Sequence, residues 1–164
     1  NVVGSRGSVL EIFRNLLKKN NKFLPITDVK MTRFWITLEQ GVEFALKSLE
    51  IMNGGEIFIP KIPSVKILDL AKAVAPKLKI KIIGIRPGEK IHEIMCPNET
   101  TDFTLEFKNY YVIFSAMHSL ENNKNYPQNI KREKGKKVKD SFEYSSDKNN
   151  FLSISQIKQI NKTC

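Results

Sequence analysis

The sequence predicts an α/β protein, because helix-forming and strand-forming segments alternate along residues 8–95. The helical segments carry apolar residues three and four positions apart, whereas the strand segments are short runs of β-branched and aromatic residues. The chain has 164 residues, of which 41% are apolar, so it can bury a sizeable core and is not dominated by disorder. We therefore expect an α/β part over residues 1–100, followed by a segment of different character over residues 101–164.

The elements of the first part follow from periodicity and from residues that begin or end helices. Thr37 and Gln40 form a capping-box pattern before the second helix, Ser64 is the predicted N-cap of the third, and Pro76 ends the third. The predicted helices cover residues 9–21, 38–52, 65–76 and 88–95. The predicted extended segments and strands cover residues 22–28, 32–37, 56–60 and 79–85.

The character of the chain changes after Pro97. Residues 101–107 and 110–116 predict two strands that pair across Lys108 and Asn109. Residues 121–150 are rich in Asn, Lys, Ser, Asp and Glu and predict an irregular, exposed segment. A short last helix is expected over residues 153–162.

The formal net charge is +10, and a concentrated basic segment, "KREKGKKVK" over residues 131–139, holds six bases and one acid. Such a balance suits nucleic acid, an anionic membrane or a phosphorylated small molecule. The basic run lacks interleaved aromatic residues, so a solvated loop is favoured over a nucleic-acid site. No apolar run approaches the length of a bilayer span. We therefore expect neither a nucleic-acid nor a membrane partner.

The cysteines and histidines give no metal site and no nucleophilic centre. Cys96 and Cys164 lack metal-ligand spacing, which favours a reducing compartment such as the cytoplasm. His92 stands next to an acid but has no second histidine at metal-binding spacing, and it is interpreted as a surface or helix-packing residue. The sequence contains no GxGxxG motif and no P-loop. These absences favour a part that holds a ligand over a part that performs chemistry.

The opening segment, "NVVGSRGSV", has the composition of a phosphate-binding loop. Gly4 and Gly7 permit backbone angles that turn amide N–H groups toward an anion. Arg6 between them is a forked donor that suits phosphate, and Asn1 can both donate and accept hydrogen bonds. A simple turn into the first helix is the alternative interpretation.

Arg33 and Arg86 are the other candidate anion-binding residues. Arg33 leads into a predicted buried strand, so it needs either a bound anion or a structural ion pair. Arg86 follows a strand at the edge where α/β sheets bind ligands. Glu89 lies in the first turn of the predicted helix, where the helix dipole alone would account for an acid.

Four segments in a fixed order resemble the C-terminal part of the inverting UDP-N-acetylglucosamine 4,6-dehydratases. They are "NVVGSRGSV", "LPITD" with "MTRFWI", "GGEIFIPKIPSVKILDLA" and "IIGIRPGEKIHEIM". This family belongs to the extended short-chain dehydrogenase/reductase superfamily, alongside the capsular polysaccharide epimerases and dehydratases. The resemblance implies that residues 1–100 contain the distal edge of an NAD(P)-binding Rossmann domain and the substrate-binding α/β part. Residues 101–164 would then supply a hairpin, an irregular basic segment and a short terminal helix.

The resemblance also implies an activity for the full-length protein. Members of the family hold NADP, oxidise C4 of the sugar in UDP-N-acetylglucosamine, eliminate water across C5–C6 and return the hydride to C6. The product is a 4-keto-6-deoxy UDP-sugar with inverted C5, which flagellated bacteria use on the way to pseudaminic acid and glycosylated flagellin. A homo-oligomer is expected for the full-length protein.

Site residues carry over where this sequence matches the family's motifs. Residues implied to line the nicotinamide side of NADP are Val2, Val3, Gly4, Ser5 and Arg6. Residues implied on the substrate side are Asn1, Thr27, Arg33, Arg86 and Glu89. The arginines suit the pyrophosphate or ribose of UDP, and no metal is implied.

The family's glycine-rich loop, its Tyr-x-x-x-Lys pair and its Asp-Lys acid–base residues match nothing in this chain. We therefore expect a fragment without catalytic residues, which alone is inactive, exposes an apolar face and has marginal stability. The alternatives are an inert nucleotide-sugar binding module, a related UDP-sugar epimerase and, ranked last, a nucleic-acid-binding domain.

Overall fold

The computed structural model describes residues 2–114 and 133–163, with side chains described as far as residue 161. Asn1, the end of the second predicted hairpin strand and the first part of the predicted irregular segment lie outside these residues. The helices are α1 (Val9–Lys18), α2 (Leu38–Ile51), α3 (Ile67–Val74) and α4 (Ile154–Thr163), with a 3-10 helix at Asn98–Phe103. The strands are β1 (Phe23–Ile26), β2 (Thr32–Phe34), β3 (Ile57–Pro60), β4 (Ser64–Lys66), β5 (Lys79–Ile82), β6 (Ile94–Cys96), β7 (Thr104–Glu106), β8 (Tyr110–Ile113), β9 (Lys136–Lys137) and β10 (Tyr144–Ser145).

The chain packs into two compact units, and each unit combines separate stretches of sequence. The first unit comprises residues 1–39, 62–93 and 146–164, and the second comprises residues 40–61 and 94–145. The expected division at residue 100 concerns the domains of a whole enzyme, and it stays a prediction.

The first unit is built on a parallel pair of strands, β1 and β5, in register from Phe23 opposite Lys79 to Ile26 opposite Ile82. Strands β2 and β4 form a separate antiparallel pair. Apolar side chains from α1, β1, α3 and α4 form one core with these strands. Its fully buried members include Leu10, Leu24, Val65, Leu70 and Ile157.

Helix α1 begins where the sequence suggests, directly after Ser8. The Ser8 hydroxyl accepts a hydrogen bond from the Glu11 amide at 3.3 Å, and the Glu11 carboxylate accepts one from the Gly7 amide at 2.6 Å. These two bonds satisfy amide groups that have no partner within the helix.

Ser64 is not the N-cap of α3, contrary to the prediction. It lies on β4, where its side chain is fully buried and accepts a hydrogen bond from Asn149 at 2.9 Å, and the helix begins three residues later with Lys66 at the N-cap position. Pairing of β4 with β2 extends the backbone of these residues. A tertiary contact therefore overrides the local capping pattern.

The predicted helix over residues 88–95 is also wrong, because the chain there makes a turn and then enters β6. The Ile91 carbonyl accepts a hydrogen bond from the Thr32 amide at 3.0 Å. The Glu93 amide donates to the Ser146 hydroxyl, and the Glu93 carbonyl accepts from the Ser146 amide at 2.8 Å. Backbone groups that a helix would pair internally are thus used by residues distant in sequence.

The second unit contains a four-stranded antiparallel sheet in the order β3-β8-β7-β9. The predicted hairpin is confirmed, since β7 and β8 pair with Glu106 opposite Tyr111, and Lys108 and Asn109 lie in the turn. Strands β6 and β10 form a second antiparallel pair. The sheet's core consists of Ile51, Leu105, Phe107, Tyr110 and Val112.

Helix α2 carries an apolar stripe that faces solvent. Leu38, Val42, Leu46 and Leu49 recur at helical spacing and are 66%, 52%, 58% and 65% exposed. The sequence predicts an apolar face for this helix, and periodicity alone does not say what covers it. Among the described residues, no helix is long and apolar enough to cross a membrane.

Candidate functional site

The first unit contains a cavity of about 450 Å³ at the carboxyl ends of β1 and β5. Because these strands are parallel, the segments that follow them emerge at the same edge, which is the edge where α/β sheets bind ligands. The cavity brings together residues that the sequence singles out in separate motifs. They are Ser5, Arg6, Thr27, Arg33, Arg86 and Glu89.

The opening loop is held in a defined shape beside this cavity. Gly4 and Gly7 both have a φ of 73°, a left-handed conformation that favours glycine. The Ser5 hydroxyl donates to the Val2 carbonyl at 3.0 Å. The Gly7 amide already donates to the Glu11 carboxylate, so this amide is not available to bind an anion. The loop therefore presents the Arg6 side chain to the cavity, and at least one backbone amide of the loop is already hydrogen-bonded within the protein.

The predicted cofactor-binding residues separate into two groups. Ser5 and Arg6 line the cavity, whereas the Val3 side chain is buried in the core of the unit. The Val3 amide donates to the Ile36 carbonyl at 2.9 Å, and Val2 forms a parallel bridge with Ile36. Val2, Val3 and Gly4 thus anchor the loop, and their contact with a cofactor stays a prediction.

Arg33 forms hydrogen bonds with the loop between β5 and β6. Its guanidinium donates to the carbonyls of Thr32 at 2.7 Å, Lys90 at 2.8 Å and Ile91 at 3.0 Å. Its Nε lies 3.4 Å from the Glu93 carboxylate. Because most of its donors are used by the protein, Arg33 fixes one wall of the cavity. Of the two interpretations that the sequence left open for Arg33, this geometry agrees with the structural ion pair.

Glu89 holds the turn that carries Arg86. Its carboxylate accepts hydrogen bonds from the Arg86 amide at 3.3 Å and from the Thr27 hydroxyl at 3.4 Å. No helix begins at Gly88, so the helix-dipole explanation for this acid is wrong. Glu89 instead connects the segment after β1 with the segment after β5.

Arg6 and Arg86 are the cations of the cavity that remain available to a ligand. Among the described residues, no carboxylate lies within 4 Å of either guanidinium, and both side chains line the cavity. A guanidinium donates two parallel hydrogen bonds to a phosphate group, so a pair of them suits a diphosphate.

Trp35 is a cavity residue that the sequence did not identify as functional. It lines the cavity and is buried, and its indole Nε1 has no hydrogen-bond partner in the described part of the chain. The signal for Trp35 in the sequence is that it is the one tryptophan of the chain and lies two residues after Arg33. An unpaired buried donor is unfavourable unless a ligand or water accepts from it.

A second feature absent from the sequence analysis is a polar network behind Arg33. The Thr32 hydroxyl lies 2.8 Å from His92 Nδ1 and 2.7 Å from the Ser146 hydroxyl. His92 was predicted to lie on the surface or to pack in a helix, and it instead hydrogen-bonds to a buried threonine from a turn. The network joins three stretches of sequence, and spacing alone does not reveal such a juxtaposition.

Metal binding and thiol chemistry find no support in the part of the chain that the structure describes. No group of three or more His, Cys, Asp or Glu side chains has the arrangement of a metal site there. Burial raises the pKa of the Cys96 thiol to about 12, which makes it a poor nucleophile. The charged groups that line the first-unit cavity are the side chains of Arg6, Arg33, Arg86 and Glu89.

Comparison with known proteins shows the family to which this chain belongs. A family model described as "Polysaccharide biosynthesis protein" matches residues 1–115. A UDP-N-acetylglucosamine 4,6-dehydratase (inverting) of Campylobacter jejuni is 57% identical over 149 residues, which cover 91% of this chain and 45% of that protein. The resemblance stated from the sequence motifs is thereby confirmed.

A more distant relative and a solved structure match over a similar share of their own length. A UDP-glucose 4-epimerase of Rickettsia bellii is 35% identical over 98% of this chain and 46% of its own length. The X-ray structure of Pen from Bacillus thuringiensis superposes with a TM-score of 0.79 and 29% identity, covering 99% of this chain and 46% of that one. The α/β fold class is confirmed, and the chain spans about half the length of the relatives it matches.

Proposed function

Because the chain belongs to the polysaccharide biosynthesis protein family, we propose that it is the substrate-binding part of a nucleotide-sugar dehydratase. The whole enzyme uses NADP and converts UDP-N-acetylglucosamine to a 4-keto-6-deoxy UDP-sugar with inverted C5. Oxidation at C4, elimination of water across C5–C6 and hydride return to C6 make up the reaction. The setting is cytoplasmic, as an early step toward pseudaminic acid or another surface glycan, and the whole enzyme is a homo-oligomer.

The observation that carries this proposal is that two guanidinium groups, Arg6 and Arg86, line one cavity at the carboxyl edge of β1 and β5 and have no ion pair among the described residues. Arg86 binds the pyrophosphate of UDP, and Arg6 adds positive charge to the same cavity from the loop that faces NADP. Thr27 and Glu89 line the same cavity and offer a hydroxyl and a carboxylate to the ribose or the sugar.

The remaining predicted residues have supporting roles in this proposal. Arg33 holds the cavity wall through its bonds to residues 90–93, and Asn1 contacts the sugar nucleotide. Residues 2–6 face the nicotinamide side of NADP, whose chemistry is hydride transfer. The residues that perform acid–base catalysis belong to the part of the relatives' length that this chain does not span.

The binding step is tested by titrating the 164-residue chain with UDP and following heat and Trp35 fluorescence. Loss of one charge-assisted contact costs about 1.5–3 kcal/mol. We therefore expect Arg86→Gln to weaken UDP binding by roughly 10- to 100-fold. Lys77→Gln removes an equal charge from an exposed position outside the cavity and leaves binding unchanged. Equal affinity of both variants, or no UDP binding by a chain that unfolds cooperatively, contradicts the proposal.

The reaction is tested in a chimera that joins this chain to the N-terminal part of the Campylobacter jejuni dehydratase. Mass spectrometry of the product formed from UDP-N-acetylglucosamine reports loss of one water molecule if the enzyme is a dehydratase. The similarity to UDP-glucose 4-epimerases favours one alternative, a UDP-sugar epimerase. An epimerase product keeps the mass of the substrate, and that result would favour the alternative.

A further inference from the structure

The second unit contains a basic cavity, formed by residues that the proposed function does not use. Its volume is about 510 Å³, and lysines from four stretches of sequence line it. They are Lys47 on α2, Lys61 after β3, Lys108 in the β7–β8 turn, and Lys134 and Lys136 at β9. The last two belong to the basic run that the sequence analysis assigned to a solvated loop.

The acids of this cavity neutralise only part of its charge. The Lys61 ammonium donates to the Glu106 carboxylate and to the Phe107 carbonyl, both at 2.7 Å. Glu133 accepts a hydrogen bond from the Tyr110 hydroxyl at 3.3 Å. The other lysines of the cavity have no carboxylate within ion-pair distance among the described residues. They are Lys47, Lys108, Lys134 and Lys136.

The backbone brings the basic run close to the hairpin through Gly135. A Cβ atom at this position would lie 2.8 Å from the Phe107 ring and 2.9 Å from Leu105 Cβ, so a larger residue forces the two segments apart. Glycine is therefore required for the approach that sets Lys134 and Lys136 beside Lys108. The Lys61 amide also donates to the Asn109 carbonyl at 3.0 Å, which fixes the turn.

The chemistry of the lining indicates the class of ligand. Ammonium groups act as compact point charges that bind phosphoryl oxygens, and several of them on one cavity suit an anion with more than one negative charge. Phe107 and Tyr110 are stacked at 4.7 Å but are only 6% and 4% exposed, so neither offers a face to a nucleobase. The cavity exceeds the space that one phosphate fills.

We propose that this lysine cavity binds a compact anion with at least two phosphoryl groups, of the pyrophosphate or oligophosphate class. Ammonium groups that line one cavity repel one another, and a bound polyanion offsets that repulsion. The site belongs to the second unit alone, and it does not depend on the proposed activity.

The test uses the full 164-residue chain carrying Arg86→Gln, so that the arginine cavity contributes little. Calorimetric titration with pyrophosphate at low salt is compared for two triple variants. Lys108→Gln, Lys134→Gln and Lys136→Gln together remove three cavity charges and are expected to weaken binding at least tenfold. Lys19→Gln, Lys72→Gln and Lys77→Gln remove three exposed charges elsewhere and leave the affinity within about twofold.

Gly135→Ala provides a second variant that leaves the net charge unchanged. It is expected to weaken pyrophosphate binding severalfold while far-UV circular dichroism stays the same. If both triple variants weaken pyrophosphate binding equally, the net charge of the chain rather than the cavity accounts for the affinity, and the proposal is overturned. Failure of the chain to bind pyrophosphate, or preferential binding of a single-stranded oligonucleotide, would overturn it as well. UDP binding governed by Arg86 is measured separately, so the two proposals fail independently.

Discussion

At the scale of single residues, Arg33 and Arg86 both line the first-unit cavity but differ in their hydrogen-bond partners. Arg33 donates to three backbone carbonyls and lies near Glu93, whereas Arg86 extends from a turn and lines the cavity without an ion pair among the described residues. The sequence placed both arginines on the substrate side. The hydrogen-bond partners of Arg33 come from segments distant in sequence. Only the folded chain therefore distinguishes an arginine that holds the cavity wall from one that is available to a ligand.

Arg33→Gln is expected to lower the free energy of unfolding of the first unit by about 2 kcal/mol, because three hydrogen bonds from a charged donor are lost, two of them part-buried. Urea unfolding followed by Trp35 fluorescence measures this change. Arg33→Lys keeps the charge but not the fork, so it should recover only part of the loss. Arg6→Gln is the control, since its side chain is exposed. Equal stability of Arg33→Gln and wild type would show that these bonds contribute nothing.

At the scale of elements, strands form at two places where the sequence predicts helix. Residues 64–66 and 94–96 have local patterns that suit helices, yet both stretches are strands because β2 and β10 lie beside them. The reverse holds for α1, where Ser8 and Glu11 satisfy the first turn locally and the prediction is confirmed. Local patterns therefore succeed where an element satisfies its own backbone groups, and they fail where a partner strand does so.

Strands β6 and β8 of the second unit bury two groups that titrate at high pH. Burial raises the pKa of Cys96 from 9.0 to about 12. Burial, and then the nearby Glu106 carboxylate, raises the pKa of Tyr111 from 10.0 to about 12. Above pH 9 the unfolded chain releases protons that the folded chain keeps. Stability is therefore fully present below about pH 9 and is lost as the pH rises toward 12.

The measurement is the free energy of unfolding between about pH 8 and pH 11, since linkage relates its slope to proton release. Cys96→Ala and Tyr111→Phe remove one group each and should flatten the decline relative to wild type, whatever their effect at pH 8. Parallel curves for all three proteins would mean that neither group titrates differently on folding.

At the scale of the whole molecule, the stripe of Leu38, Val42, Leu46 and Leu49 on α2 exposes apolar side chains that the described residues do not cover. Four large apolar side chains more than half exposed on one helix face are typical of surfaces that an assembly covers. The stripe agrees with the proposal that this chain works as part of a larger enzyme. It also predicts self-association of the chain when it is expressed alone.

Replacing Leu46 and Leu49 by Gln is expected to reduce light scattering and raise solubility while the free energy of unfolding changes by less than about 0.5 kcal/mol. Ile51 lies in the same helical turn but is only 2% exposed, and Ile51→Ala should cost about 2–5 kcal/mol. If Leu46→Gln and Leu49→Gln destabilise the chain as much as Ile51→Ala, the stripe is not exposed in solution.

The sequence by itself determined the α/β class, most elements and the family, and it indicated the candidate anion-binding residues, since local periodicity and motif order carry that information. Tertiary structure decided how those residues are used. It gathered Arg6, Thr27, Arg86 and Glu89 on one cavity, gave Arg33 a structural role and brought Trp35 to the same wall. It also turned part of a basic loop into the wall of a lysine cavity. The physical reason is that hydrogen-bond satisfaction and burial depend on partners far apart in the chain, and spacing along the sequence does not record them.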